Sequence, residues 1–362
     1  MSKLSKKLST LLKKLAILPF SHKEAVRDFN FKNVNSILIR PTGNALGDSV
    51  INSAYVQQLK TIYPHARIGM LVTRNNRTIY ELNPCLDELI EQNFLSFIKQ
   101  RKRWDIFLDM PDAFNSIKII LDKILSPKVT IIFDKKFKPF LNTDEIKNFD
   151  YQTTGLEKVH NIDFIKQSIF SHYFPIPDGK CSLPIDQLQD SEIERLWITG
   201  KIKVLLAPQG SRRLVPADEI AKLLNSLDSS ITTKLDIMLN IGGDIAQQYL
   251  DSLNHSLTNG LVIRHIPQMS LKKYLSLVQS NDLVIGVDSG TVHLACAMDK
   301  PLLSFYANYE PNLIRWSPKP NTNVPHLMVI SSTLGQNSSD TFGFELTEAI
   351  LWLNQQLQTL SK

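Results

Sequence analysis

Short apolar runs alternate with longer stretches whose apolar side chains recur every three to four positions, and this alternation begins near residue 36. Ser36–Arg40 reads as a buried strand, residues 41–48 as a loop, residues 49–63 as an amphipathic helix and Ile68–Thr73 as the next strand. That succession is a βαβ unit. Trp104–Asp109 and Val129–Phe133 read as further strands, and the helical stretch 156–170 closes this half. Residues 171–200 carry Pro175, Pro177, Gly179, Pro184 and Gly200, which breaks both periods and marks a boundary between domains. A second series follows: strand Val204–Ala207, helix 216–227, strands Leu235–Leu239 and Leu261–Arg264, helix 270–279, strands Leu283–Val287 and Pro301–Tyr306, and a last helix over 344–359. The pattern predicts an α/β chain with an N-terminal segment (1–30), two Rossmann-like domains (31–185 and 186–340) and a C-terminal helix (341–362). Parallel-sheet domains bind ligands at the carboxyl ends of their strands, so the expected active site is a central cleft that the two domains face.

Ahead of the first strand the period is helical. Leu4, Leu8, Leu11, Leu12 and Leu15 fall on one third of a helical circumference and Lys3, Lys6, Lys7, Lys13 and Lys14 lie opposite, with Pro19 as the stop. A basic amphipathic helix of this kind lies on an anionic membrane surface or docks on its own domain, and the periodicity serves both. Five of the six net positive charges are these lysines, which leaves the rest of the chain at +1. A near-neutral body lacks the spread of Lys and Arg that a nucleic acid requires, so no nucleic-acid partner is expected. The three cysteines, Cys85, Cys181 and Cys296, form neither a C-x-x-C pair nor a disulfide framework, and no apolar run approaches the roughly 20 residues that span a bilayer. A reducing cytoplasmic setting is expected, with residues 1–20 as the candidate peripheral contact to an anionic membrane surface.

Three loops at strand ends carry candidate chemistry. In the first, Gly43-Asn44-Ala45-Leu46-Gly47-Asp48, two glycines permit a tight turn, and Asp48 either takes a proton from an attacking hydroxyl or caps the following helix. The spacing is not a dinucleotide fingerprint. In the second, Asp288-Ser289-Gly290-Thr291-Val292-His293 runs from a buried strand into a helix, whose first amides and dipole favour an anion such as a diphosphate. His293 lies one turn in, on the face of Ser289, within reach of a phosphate or sugar. In the third, Gly210 and Ser211 supply compact donors, and Arg212 or Arg213 a cation for a phosphate. Asp244, after Gly242-Gly243, offers a carboxylate to a ribose, and Lys99, Arg101, Lys102 and Arg103 form a basic run in the first domain. That run is either a solvated face or a contact for anionic sugars. No metal-ligand spacing, G-x-S-x-G or P-loop occurs, so a metal-independent site is expected.

Together these segments resemble glycosyltransferase family 9, the ADP-heptose:lipopolysaccharide heptosyltransferases, over roughly residues 36–320. The resemblance rests on Ile39-Arg40-Pro41 through Leu46-Gly47-Asp48, Tyr63–Ile68, Ala207–Pro216, Pro267–Leu271, and Asp288–Ala295 with Lys300-Pro301, all in family order. It implies a GT-B fold with the acceptor domain first and an inverting transfer from ADP-heptose to a lipid-anchored core oligosaccharide, with no cofactor beyond that nucleotide sugar. Asp48 is then the base, while Asp288, Ser289, Gly290 and His293 meet the diphosphate and sugar, and the loop before Met269 holds the adenine. Arg213 before Val215-Pro216 replaces the family's lysine before Trp-Pro, and Ala307-Asn308-Tyr309 replaces its Gly-Pro-Thr. Two alternatives share the architecture: a nucleotide-sugar 2-epimerase, and a non-catalytic nucleotide-sugar-binding relative.

Overall fold

The computed structural model describes residues 13–362, so the expected amphipathic segment lies outside the described residues as far as residue 12. Residues 13–17 are helical, and Leu18–Phe20 follow as one 3-10 turn containing Pro19. The chain forms two compact units, Met1–Gly179 and Lys180–Lys362. The division falls inside the Pro- and Gly-rich stretch, six residues ahead of the boundary expected at 185.

The first unit runs β1 (Ser36–Arg40), α1 (Leu46–Ile62), β2 (Arg67–Val72), α2 (Arg77–Glu81), β3 (Glu88–Glu91), α3 (Phe94–Lys99), β4 (Ile106–Asp109), α4 (Ser116–Leu125), β5 (Val129–Phe133) and β6 (Tyr151–Thr153). Its strands lie side by side in the order β3-β2-β1-β4-β5-β6, all parallel. Both faces of such a sheet must be covered, which is why strand residues are apolar at consecutive positions. Ile37 and Ile39 pack with Tyr55, Val56 and Leu59 of α1, whereas Leu38 and Phe107 turn the other way onto Phe97 of α3 and Leu121 and Leu125 of α4. Each fully buried side chain of this size contributes about 1.5–3 kcal/mol.

The helix expected over 156–170 is instead three 3-10 segments, Leu156–Lys158, Asn161–Gln167 and Ile169–His172. His160 and Ser168 stand in extended conformations between them, and the His160 ring accepts the Ile162 amide, so no continuous ladder forms. The interruptions still deliver Phe164, Ile165 and Phe170 to the core.

The second unit runs β7 (Ile202–Ala207), α5 (Ala217–Asn225), β8 (Leu235–Leu239), α6 (Ala246–Ser256), β9 (Ile263–His265), α7 (Leu271–Ser280), β10 (Leu283–Val287), α8 (Gly290–Ala297), β11 (Leu302–Asn308), α9 (Glu310–Trp316), β12 (His326–Leu334) and α10 (Thr347–Leu360). Its parallel order, β9-β8-β7-β10-β11-β12, repeats that of the first unit. Helix α10 is not a separate appendage, because Ala349, Leu353 and Leu357 enter the same core as Ile220 and Leu223 of α5 and Val204 and Leu206 of β7.

In each sheet the first strand lies between the second and the fourth, which is the Rossmann order with its reversal between strands one and four. The loops leaving those two strands diverge to opposite faces and open a crevice at the carboxyl edge. In the first unit they are 41–45 and 110–115; in the second they are 208–216 and 288–289.

Candidate active site

In the first unit, Pro41 to Ala45 turn from β1 into α1, and the turn needs Gly43 at φ +62°. Ala45 is the N-cap in extended conformation, so α1 begins at Leu46, three residues before the expected start. Asp48 therefore sits inside the first helical turn, where its Oδ2 accepts the Ala45 amide at 3.1 Å. The carboxylate satisfies an otherwise orphaned helix-start donor and its negative charge suits the N-terminus. Burial raises its pKa above the ordinary value and the charge of Asp112 adds to the rise, while the amides of Ala45 and Asn44 pull the other way. Asn52, one turn on, bolts the loop down: its amide group donates to the Thr42 carbonyl at 2.9 Å and to the Asp48 carbonyl at 2.6 Å, and its oxygen accepts the Thr42 amide. Asn44 is exposed, with its side-chain oxygen 3.4 Å from Asn76 Nδ2, and Gly47 is buried.

Beneath this loop lies a buried charge cluster that the sequence analysis did not assign. Arg40 at the end of β1 pairs with Asp122 of α4 at 2.5 Å and with Asp109 at the end of β4 at 3.4 Å. Lys135, just past β5, pairs with Asp109 at 2.9 Å and donates to the Asp109 and Met110 carbonyls. Burial opposes charge on Asp109, yet Lys135 and Arg40 hold its carboxyl below the usual range; burial lowers Lys135. Two cations and two anions thus compensate one another, and loss of one would strand its partner at about 3–5 kcal/mol. The available signal was a charge at the end of, or within two residues after, each of three neighbouring apolar strands.

In the second unit, loop 208–216 folds back on itself: Gly210 donates to the Arg213 carbonyl at 2.9 Å and Val215 to Pro208 at 3.0 Å. A Cβ at Gly210 would stand 2.8 Å from the Asp288 carbonyl, so only glycine lets this loop close on the end of β10. The fold sets Arg213 against Asp288, with Nε to Oδ2 at 2.8 Å. Asn312 of α9 joins them, donating to Asp288 at 2.6 Å and accepting from Arg213 at 3.3 Å, and Ser338 accepts from Arg213 through both its carbonyl and its hydroxyl. Burial raises the pKa of Asp288, and Arg213 and Asn312 oppose that rise.

Ser289 is the N-cap of α8 without a capping side-chain bond, and its buried Oγ has no hydrogen-bond partner among the described residues. The first amides of α8, from Gly290 and Thr291, have no carbonyl of their own helix to meet and point out at its positive end. Thr291 Oγ1 shares a 2.6 Å hydrogen bond with Tyr274 of α7, whose hydroxyl accepts from Asn240 at the end of β8. Burial pushes the Tyr274 phenol up to about 12, so it stays protonated and holds α8 to its neighbours. His293 is buried in α8 with its ring 6.0 Å from that of Trp316. The fold thus brings Arg213, Asp288, Ser289, Gly290 and Thr291 to one crevice. Ser211 is exposed on the hairpin, Asp244 is exposed after the Gly243 turn, and Met269 is half-buried in the loop between β9 and α7. Asn312, Ser338 and Tyr274 were missed, because nothing local marks a partner so far away in the chain.

Among the described residues no group of His, Cys, Asp or Glu is placed to hold a metal, and no helix is long and apolar enough to cross a membrane. The three cysteines are free thiols.

Comparison with known proteins places this geometry. Lipopolysaccharide heptosyltransferase 1 of Campylobacter coli is 24% identical over 289 residues, which is 73% of this chain and 81% of that protein. Among solved structures, the Escherichia coli ADP-heptose LPS heptosyltransferase II superposes with a TM-score of 0.66 at 15% identity, covering 91% of this chain and all of that one. Escherichia coli heptosyltransferase WaaC with ADP superposes with a TM-score of 0.63 at 14% identity, over 89% and 99% of the two chains. The shared fold is GT-B. The profile of glycosyltransferase family 9 (heptosyltransferase) matches residues 96–335, from α3 to the end of β12, and the chain therefore belongs to that family of glycosyltransferases.

Proposed function

We propose that the chain transfers a heptosyl group from ADP-heptose to a lipopolysaccharide core acceptor, with inversion at the anomeric carbon. One observation carries the reading: Arg213, Asp288 and the first amides of α8 converge at the reversal point of the second unit's sheet, where a diphosphate meets both a cation and a helix N-terminus. The donor and acceptor are those in the names of the relatives, LPS heptosyltransferase of Campylobacter coli and ADP-heptose LPS heptosyltransferase II of Escherichia coli.

In this mechanism Asp48 takes the proton of the acceptor hydroxyl, whose oxygen attacks the anomeric carbon from the face opposite the diphosphate. The new C–O bond forms as the bond to the β-phosphate oxygen breaks, and the electron pair leaves with ADP. The growing negative charge falls on Arg213 and the amides of Gly290 and Thr291, fixed donors that need no reorganisation during the step. No resident metal takes part. Ser289 and His293 contact the diphosphate and sugar, Asp244 the ribose, and the loop at Met269 the adenine; Ser211 adds a donor. Gly43, Asn44 and Gly47 shape the acceptor side. The acceptor is lipid-anchored, and residues 1–20 hold the enzyme to the inner face of the bacterial inner membrane.

A panel of nucleotide sugars tests the donor by thermal shift, because a ligand of the folded state raises the melting temperature by mass action. ADP-heptose should give the largest rise, and ADP should be released only when a core acceptor is added. A larger rise with a uridine or guanosine sugar would overturn the donor. Chemical change of the sugar nucleotide without acceptor would replace transfer by epimerisation.

A further inference from the structure

The face of the first unit that carries α3 and α4 shows an unusual surface. Helix α3 begins just past β3 and α4 just past β4, both strands are parallel, and the Lys102 amide after α3 bonds the Leu125 carbonyl that ends α4. The two helices therefore run side by side in the same direction. Phe97, Leu121 and Leu125 point inward to the sheet, but Phe94, Leu95, Ile98 and Ile117 do not: they are 57%, 70%, 47% and 71% exposed. An amphipathic helix normally hides side chains of this kind, and a cluster of them on one face marks an interaction site. The residues next to them extend it. Ile17 packs with Ile119 of α4, which seats residues 13–20 beside that helix and leaves Leu15 and Leu18 each 56% exposed.

The charge around this patch is mostly positive, with exposed Glu91 just ahead of α3 as the counter-charge, its Oε2 3.4 Å from Asn93 Nδ2. Between residues 93 and 128 the acids are Asp105, Asp109, Asp112 and Asp122. Asp105, Asp109 and Asp122 are buried in ion pairs, and Asp112 is bound to Lys118. Lys99, Arg101, Lys102, Arg103 and Lys123 are exposed. From α3 to the end of α4 this face therefore presents apolar side chains bordered mainly by cations. An apolar cluster alone suits a protein partner, and a cationic cluster alone a soluble polyanion; together they suit a surface with anionic headgroups above an acyl layer.

We infer that the α3–α4 face is a membrane-docking surface for anionic phospholipid, with Phe94, Leu95 and Ile98 entering the acyl boundary and Lys99, Arg101 and Arg103 meeting headgroup phosphates. It does not depend on the transfer reaction, since binding is read without donor or acceptor.

The full chain should co-sediment with mixed phosphatidylglycerol and phosphatidylethanolamine vesicles and not with phosphatidylcholine vesicles, and added salt should weaken the attachment. Combined Phe94→Ser, Leu95→Ser and Ile98→Ser should lower vesicle affinity about tenfold or more while melting temperature and ADP binding stay unchanged, because these side chains support no core. Combined Lys99→Glu, Arg101→Glu and Arg103→Glu should lower it similarly. Native-like binding by the apolar variant overturns the inference, whatever a deletion of residues 1–12 does. Loss in the charge variant alone also overturns it, because attachment is then a headgroup contact in which no apolar side chain enters the acyl layer. Equal binding to phosphatidylcholine does the same to the choice of anionic lipid.

Discussion

Gly43 lies so close to Asp48 that a Cβ on residue 43 would stand 1.9 Å from the Asp48 Oδ2. The glycine does two things at once, because its φ of +62° is also one that side-chain-bearing residues avoid. Gly43→Ala must push the carboxylate out of its place as well as strain the turn. Turnover should fall on the order of 10–100-fold from misplacement of the base, with a stability loss of about 1 kcal/mol. ADP binding, read by calorimetry, should not change, since the proposed donor site belongs to the second unit. A Gly43→Ala enzyme with native turnover would show that the place of Asp48 does not matter.

Asp48 caps the start of α1 from inside its first turn, so this capping and its proposed role as base are separable by substitution. Asp48→Asn keeps an oxygen for the Ala45 amide and removes the proton acceptor. Turnover should fall about 10²–10⁴-fold. Its stability at neutral pH should not fall: a carboxyl whose folded pKa is raised stabilises the fold only below its unfolded value, and that contribution is lost as pH rises through the folded value. Asp48→Ala should lose both roles and cost about 1 kcal/mol as well. Near-native turnover by the Asn variant with saturating acceptor would remove Asp48 from the mechanism.

The pH profile carries a separate test. The proposed mechanism needs Asp48 ionised, and its pKa is raised, so the acid limb of kcat/KM should lie above the ordinary aspartate value of about 4. Asp112 adds to that rise through its charge, and it is bound to Lys118. Asp112→Asn removes an anion and leaves a cation nearby, and both changes favour the ionised base. The acid limb should therefore move to lower pH. A limb that stays put, or moves up, would mean that another group sets it.

Much of the fold was legible because parallel strands buried on both faces leave continuous apolar runs: Ser36–Arg40, Val129–Phe133, Leu235–Leu239 and Leu283–Val287 occur at the positions read from the sequence. Three of the four edge strands were not legible. β3 and β6 are short, and β12 alternates exposed and buried positions along an edge, so none gives a run that stands out. Loops at strand ends could be picked because glycines and an acid next to an apolar run are local signals. The partners of Arg213 could not, since Asn312 and Ser338 lie 99 and 125 positions away and only the fold brings them in. The same limit hid the Arg40, Asp109, Asp122 and Lys135 cluster, whose members come from four separate segments that only the fold brings together.

The Arg213–Asp288 pair admits a purely structural use, in which the arginine only neutralises a buried carboxylate, and a cycle of variants separates that from contact with the donor. Arg213→Ala leaves Asp288 buried with Asn312 as its remaining partner, and should cost about 1–3 kcal/mol of stability. Under the mechanism proposed here it should also weaken ADP binding roughly 10–100-fold, the scale of one charge-assisted phosphate contact. Adding Asp288→Asn removes the stranded charge, so the double variant should regain most of the lost stability. The two uses now diverge. If Arg213 serves only Asp288, the double variant should also regain ADP affinity, because the crevice is neutral and folded again. If Arg213 meets the diphosphate, affinity should stay low, because no cation has returned. Unfolding curves and ADP calorimetry on the native chain, both single variants and the double variant give the two couplings independently. Recovery of ADP binding in the double variant would move the diphosphate away from Arg213 and leave the α8 amides as its main support.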